Sequence, residues 1–116
     1  MQFETQTKDD VVILRVNGDI TLGKGSDVIL KDKVNSLLQQ GHRKIVLDLG
    51  QVSYVDSAGL GQLVQVYATT SHLGGSLKLL NLTKRLKDLL VVSKLLTVFD
   101  SYESEAEALG SFGAGT

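Results

Sequence analysis

Short aliphatic runs alternate along this chain with segments whose apolar residues recur with the period of a helix. The runs are rich in Val, Ile and Leu and cover residues 11–16, 44–49 and 76–80. In the segments that begin near residues 27, 57 and 83, apolar side chains return every three or four positions, so each segment predicts an amphipathic helix. Because strands that alternate with helices pair mainly in parallel, the pattern predicts one α/β domain.

The two ends of the chain add smaller elements. Residues 3–7 predict a strand that forms a hairpin with the first aliphatic run. Toward the other end, residues 98–100 predict a short last strand and residues 103–109 a short helix. The glycine-rich residues 110–116 predict a flexible tail, which leaves a single domain over residues 1–109.

Charge and composition exclude several classes of function. Twelve Lys and Arg against thirteen Asp and Glu give a net charge of −1 over 116 residues, so no global field attracts nucleic acid or an anionic membrane. The chain has no Cys, which excludes thiolate catalysis and fits a reducing compartment. No apolar run approaches the roughly 20 residues of a membrane-spanning helix, and the N-terminus lacks a secretory signal pattern. We therefore expect a cytoplasmic protein without membrane insertion or direct contact with nucleic acid.

The turn after the strand at residues 44–49 carries the strongest functional signal. Residues 52–61 are VSYVDSAGLG, and Ser57 falls where the next helix begins. A serine there caps a helix by accepting a hydrogen bond from a free N–H group. The position also suits phosphorylation, because a phosphoryl group meets free N–H donors and the positive end of the helix dipole. The two interpretations are compatible, and both stay open at this point.

A hydrolytic role for Ser57 is not expected. The nucleophile elbow of hydrolases has glycine two residues before the serine, where this chain has Val55. His42 is expected at the start of a strand. His72 is expected at the far end of the helix that Ser57 begins, about 24 Å away, which is far beyond hydrogen-bond range.

Other polar positions have ordinary structural explanations. Gly59 and Gly61 form a lone G-x-G, which is weak evidence for nucleotide binding and is better explained by close packing of the helix start. Lys84, Arg85 and Lys87 are interleaved with leucines and predict the solvated face of a helix, not a nucleic-acid patch.

Four carboxylates lie near predicted strand ends: Asp19, Asp48, Asp56 and Asp100. No paired histidine or glutamate accompanies them to support a metal site. Asp is also common in turns, so turn formation is the expected role of Asp48 and Asp100.

Three consecutive stretches resemble the anti-sigma factor antagonists and the STAS domain family to which they belong. They are residues 45–49, residues 52–55 and the motif DSAGLG at residues 56–61. Residues 17–21, NGDIT, are similar to the family's loop after its second strand, and residues 95–109 look like its C-terminal strand and helix. The similarity covers nearly the whole chain. It implies a mixed, mostly parallel sheet of four to five strands, with about four helices packed largely on one face.

The resemblance also implies a role in partner switching. The unphosphorylated antagonist binds an anti-sigma factor that is also a serine kinase, and this frees a sigma factor. Phosphorylation of Ser57 ends the binding, and a metal-dependent serine phosphatase reverses it. Many members have a second Ser or Thr where this chain has Ala58, so Ser57 is the unambiguous acceptor of the motif. Carried over by position, the partner-binding residues are Asp19, Thr21, Asp56, Ser57, Gly59 and Gly61. The resemblance implies no catalytic residue, cofactor or metal in the chain itself.

Two alternatives remain open. A STAS protein of similar sequence can serve as a scaffold, or as a subunit of a transporter or a stress-signalling complex. A small enzyme or nucleotide-binding protein would instead need a pocket that uses Asp19, Asp56 and Ser57.

Overall fold

Five strands and four helices alternate in the computed structural model, which describes residues 2–22 and 26–112 and leaves out the side chains of residues 26 and 27. In chain order the elements are β1 (Gln2–Lys8), β2 (Val11–Asn17), α1 (Ser26–Gln39), β3 (Lys44–Gln51), α2 (Ser57–His72), β4 (Ser76–Leu80), α3 (Lys84–Val92), β5 (Asp100–Tyr102) and α4 (Glu105–Gly110). The predicted alternation of strands and helices is confirmed. None of the helices within these described ranges is long and apolar enough to cross a membrane.

The five strands lie side by side in the order of the sequence. β1 and β2 are antiparallel and form a hairpin, in which Asp9 takes a positive φ of 55° at the tight turn. Every other neighbouring pair is parallel. The sheet is therefore mixed and mostly parallel, as predicted. Because β2, β3 and β4 run in the same direction, the loops that follow them meet at one edge of the sheet.

Each face of the sheet has its own apolar core. The larger core joins alternate residues of β2, such as Val12 and Leu14, to the buried faces of α1, α2 and α3. The smaller core joins the intervening residues Val11 and Ile13 to α4 through Ala108. Three helices therefore cover one face and α4 covers the other, which agrees with the expected packing largely on one side.

The C-terminal elements begin two residues later than the sequence predicted. The last strand was expected at residues 98–100, but Phe99 is buried in the larger core, where its ring meets Tyr67 edge to face with centroids 5.3 Å apart. Pairing with β4 therefore starts only after Phe99. The last helix starts at Glu105, because the Ser104 hydroxyl caps it by accepting a hydrogen bond from Glu107 N–H at 3.1 Å.

Ion pairs hold α4 against the sheet. Glu105 forms ion pairs with Lys8 of β1 and with Arg15 of β2. Beyond α4, the ring of Phe112 lies 5.1 Å from Lys78 Nζ, measured to the ring centroid. Residues 113–116, the remainder of the expected tail, lie outside the described residues.

Candidate functional site

The loops after β2 and β3 are joined at the edge of the sheet where the parallel strands end. Ile20 forms an isolated parallel bridge with Val55. Ile20 N–H donates to the Tyr54 carbonyl at 3.0 Å, and Asp56 N–H donates to the Ile20 carbonyl at 3.3 Å. These backbone bonds fix the β3–α2 turn against the β2–α1 loop, so the start of α2 has a defined position.

Ser57 is the first residue of α2 and is exposed. The alternative that Ser57 caps this helix is wrong, because the cap is Asp56, whose Oδ1 accepts a hydrogen bond from Gly59 N–H at 2.7 Å. A carboxylate is a strong acceptor for a free helix N–H, and Asp56 reaches it from an extended backbone conformation. The Ser57 hydroxyl is consequently not used in capping, and the residue is exposed to solvent.

Asp56 also holds the neighbouring loop. Its second oxygen, Oδ2, accepts a hydrogen bond from Leu22 N–H at 3.0 Å. The hydrogen bonds from Gly59 and Leu22 stabilise the ionised carboxylate and hold the pKa of Asp56 below its ordinary value. The turn beside Ser57 therefore carries a negative charge at neutral pH.

Asp19 and Thr21 lie in the loop after β2, on the same edge of the sheet as Ser57. Asp19 is partly buried and its Oδ1 accepts a hydrogen bond from the Ser53 hydroxyl at 3.0 Å. Thr21 is only 9% exposed. Its side chain therefore offers little surface for a partner, in contrast to the contact expected from the motif.

The two glycines of the motif have different surroundings. A Cβ atom at Gly59 would lie 2.0 Å from the backbone oxygen of Ile20, so the absence of a side chain there is required by the close approach of the two loops. Gly59 is buried, and its expected role of admitting a partner's backbone does not fit that burial. A Cβ atom at Gly61 would meet nothing within 4 Å, and Gly61 is exposed. Close packing thus explains Gly59 and leaves Gly61 open to a partner.

A groove of about 410 Å³ opens between the β3–α2 turn and α3, and no pattern in the sequence predicted it. Ser57 lies on its wall, and its apolar lining includes Tyr54 and Val92, which are 48% and 80% exposed. Arg85 also lines the groove, although the sequence placed it on an ordinary solvated helix face. The available signal was the parallel pairing of β3 with β4, which makes the helices that follow them neighbours at their N-termini.

The two remaining carboxylates do not line the groove. Asp48 was expected to form a turn, and that is wrong: it is buried within β3, where its Oδ2 accepts a hydrogen bond from Arg15 Nε at 3.1 Å. Its Oδ1 accepts from Gly50 N–H at 3.1 Å. Asp100 begins β5 and pairs with Lys78 at 3.3 Å. Among the side chains that the structure describes, in residues 2–22 and 28–112, no three His, Asp or Glu are grouped in a way that could hold a metal ion.

Comparison with known proteins identifies the relatives of this chain. A family model described as the STAS domain matches residues 2–108. An anti-sigma-B factor antagonist from Bacillus subtilis is 35% identical over an alignment that covers 82% of this chain and 84% of the relative.

Solved structures share the fold. A crystal structure of a candidate anti-sigma factor antagonist from Thermotoga maritima aligns with a TM-score of 0.85 at 28% identity, covering 94% of this chain and 92% of that chain. The phosphorylated form of the Bacillus cell fate determinant SpoIIAA aligns with a TM-score of 0.71 at 19% identity, covering 96% and 99% of the two chains. At that identity the second likeness concerns the fold alone.

Proposed function

This chain belongs to the STAS domain family, and we propose that it acts as an anti-sigma factor antagonist controlled by phosphorylation of Ser57. The observation that carries the proposal is the position of Ser57 beside the groove. It is exposed at the start of α2, and its hydroxyl is left free because Asp56 caps the helix. The similarity to the anti-sigma-B factor antagonist supports the class of partner.

In its unphosphorylated form the chain binds an anti-sigma factor that is also a serine kinase, which frees the sigma factor. The contact surface consists of the groove and the edge around Ser57, with Asp19, Asp56 and Gly61 as polar and backbone contacts. Exposed apolar side chains mark a surface suited to a protein partner, and Tyr54 and Val92 provide them here. Thr21 is only 9% exposed and contributes little to this surface. Gly59 is buried, and it contributes by letting the start of α2 approach Ile20 closely.

Phosphorylation switches the binding off. The kinase transfers the γ-phosphoryl group of ATP to Ser57 Oγ: an O–P bond forms, the bond between the γ-phosphorus and ADP breaks, and the hydroxyl proton leaves to a base of the kinase. The product carries about −1.5 to −2 additional charges beside the ionised Asp56. Burying that charge against a partner costs desolvation and repulsion, and each 1.4 kcal/mol lowers affinity about tenfold.

A metal-dependent serine phosphatase restores the binding form. Water attacks the phosphorus, the O–P bond to Ser57 breaks, inorganic phosphate leaves and the hydroxyl is regenerated. SpoIIAA has been solved in both phosphorylated and unphosphorylated forms, so at least one protein of this fold carries a phosphoryl group.

The test begins with the serine-kinase anti-sigma factors of the source genome, each purified and incubated with the chain and ATP. Mass spectrometry should find a single phosphate on Ser57 with the cognate kinase and none on Ser57→Ala. The binding affinity of native protein, Ser57→Ala and phosphorylated protein for that kinase is then measured by calorimetry. Native protein and Ser57→Ala should bind, and the phosphorylated form should bind at least about tenfold more weakly. Equal affinity of all three forms, or a phosphate at another residue, refutes the switch.

A further inference from the structure

We infer that a phosphoryl group on Ser57 pairs with Arg85 of the same chain across the groove between the β3–α2 turn and α3 and covers part of its apolar lining. The inference rests on the proposed function for the modification itself and adds the internal partner of the phosphate. Ser57 and Arg85 both line the groove and are both exposed. Regulation then includes the covering of an apolar surface as well as the addition of charge.

The topology of the sheet makes the two residues neighbours. Ser57 is the first residue of α2, which follows β3, and Arg85 is the second residue of α3, which follows β4. β3 and β4 are adjacent and parallel, so the two helices start side by side at the same edge. The groove is lined on one side by the β3–α2 turn and Ser57, and on the other by α3 from its cap to its last residue, Val92. Ser57 and Arg85 both lie on its walls.

The charges around the groove favour Arg85 as the partner. The charged residues on its walls are Asp56, Arg85 and Asp88, so Arg85 is the one cation there among the residues described. Asp56 directs its two oxygens to backbone N–H groups of Gly59 and Leu22. None of the ion pairs between described residues involves Arg85, so its guanidinium group is available.

The nearby lysines are less suited to this role. Lys87 pairs with Glu103 at 3.5 Å, and Lys84 is not among the residues that line the groove. A guanidinium group also matches a phosphate through two parallel N–H donors, which an ammonium group cannot do. Arg85 therefore has both the position in the groove and the donor geometry needed to bind the phosphoryl group.

The consequence for binding follows from what lies between the paired groups. Tyr54, Leu89 and Val92 line the groove that Ser57 and Arg85 share. An ion pair across the groove would cover part of this apolar lining. The phosphorylated chain would then lose the docking surface through a contact made within itself, before any partner approaches.

The experiment measures the second pKa of the phosphate directly. Phosphoserine is incorporated at position 57 during translation, so neither a kinase nor a partner is needed, and the ³¹P resonance is followed from pH 4 to pH 8. Its ordinary second pKa is about 6. The groove charges that act on it are Arg85, which lowers the pKa, and Asp56 and Asp88, which raise it.

Removal of Arg85 should raise that pKa. We expect R85Q to raise it by roughly half a unit or more, R85K to give a smaller rise, and the matched control K84Q to leave it unchanged. An unchanged pKa in R85Q, or an equal rise in K84Q, overturns the internal ion pair. Such a result leaves the proposed switch at Ser57 standing, whereas failure of kinases to phosphorylate Ser57 would refute the proposed function without altering this measurement.

Discussion

Asp56 Oδ2 accepts a hydrogen bond from the backbone N–H of Leu22 at 3.0 Å, across 34 positions of the sequence. The same carboxylate caps α2 through Oδ1 and Gly59 N–H. One side chain therefore fixes the start of the helix that carries Ser57 and the loop that leaves β2. Its position immediately before Ser57 places this structural link inside the proposed regulatory site.

The first prediction concerns the pH dependence that this link creates. The pKa of Asp56 is lower in the folded chain than in the unfolded chain, so the ionised form favours folding. This contribution is present above the unfolded pKa of about 4 and is lost as pH falls through the lower folded value. Asp56→Asn has one acceptor oxygen for two N–H donors and should be less stable at pH 7. The difference in free energy of unfolding between this variant and native protein, measured in urea, should shrink below pH 4. A difference that does not change with pH would show that the ionised Asp56 carboxylate is not its cause.

The second prediction separates the two glycines of the motif. Gly59→Ala places a Cβ 2.0 Å from the Ile20 carbonyl oxygen and should lower the free energy of unfolding by about 3 kcal/mol or more. Gly61→Ala serves as the matched control, since its Cβ meets nothing within 4 Å. It should raise stability by about 0.5–1 kcal/mol, because alanine favours a helix over glycine. Similar losses in both variants, measured by urea unfolding, would contradict the packing explanation.

The third prediction concerns the buried carboxylate on the opposite face. Arg15→Ala removes the charged partner of Asp48, together with the ion pair to Glu105, and should destabilise the chain by about 1–2 kcal/mol, a value reduced because Arg15 itself is partly exposed. Glu4→Gln removes an exposed partner of Arg15 at 3.6 Å and should change stability by less than about 0.5 kcal/mol. Thermal unfolding of both variants makes the comparison. Equal losses of stability in the two variants would show that the burial of Asp48 does not determine the loss caused by Arg15→Ala.

The fourth prediction tests the groove as the docking surface of the proposed function. Val92→Glu places a charge on its apolar wall and should weaken binding of the cognate anti-sigma factor at least about tenfold. Its stability should stay within about 0.5 kcal/mol of native protein, because Val92 is 80% exposed. Leu73→Glu, on an exposed apolar residue at the other end of α2, provides the control and should bind normally. Loss of binding in both variants would point to a nonspecific effect of the added charge.

Periodicity in the sequence was sufficient for the architecture and insufficient for the details of the site. Aliphatic runs and helical spacing located the three inner strands and the three large helices. The cap of α2 was missed because Asp56 and Ser57 are both good caps and adjacent, and only the backbone geometry decides between them. The burial of Asp48 within a strand was missed because its partner Arg15 is 33 residues away in the sequence. The groove was missed because it lies between two elements that only the sheet order brings together.

The attachment of α4 ties the first and last elements of the chain to each other. Glu105 is held by Lys8 and Arg15, both from the opening hairpin, and Ala108 shares a core with Val11 and Ile13. Deleting α4 would expose the face of the hairpin that it covers. Deleting the hairpin would remove the residues that hold α4 in place. Truncation from either side should therefore damage the smaller core. Loss of the hairpin also removes Val12 and Leu14 from the larger core, whereas loss of α4 leaves the contacts of the larger core in place.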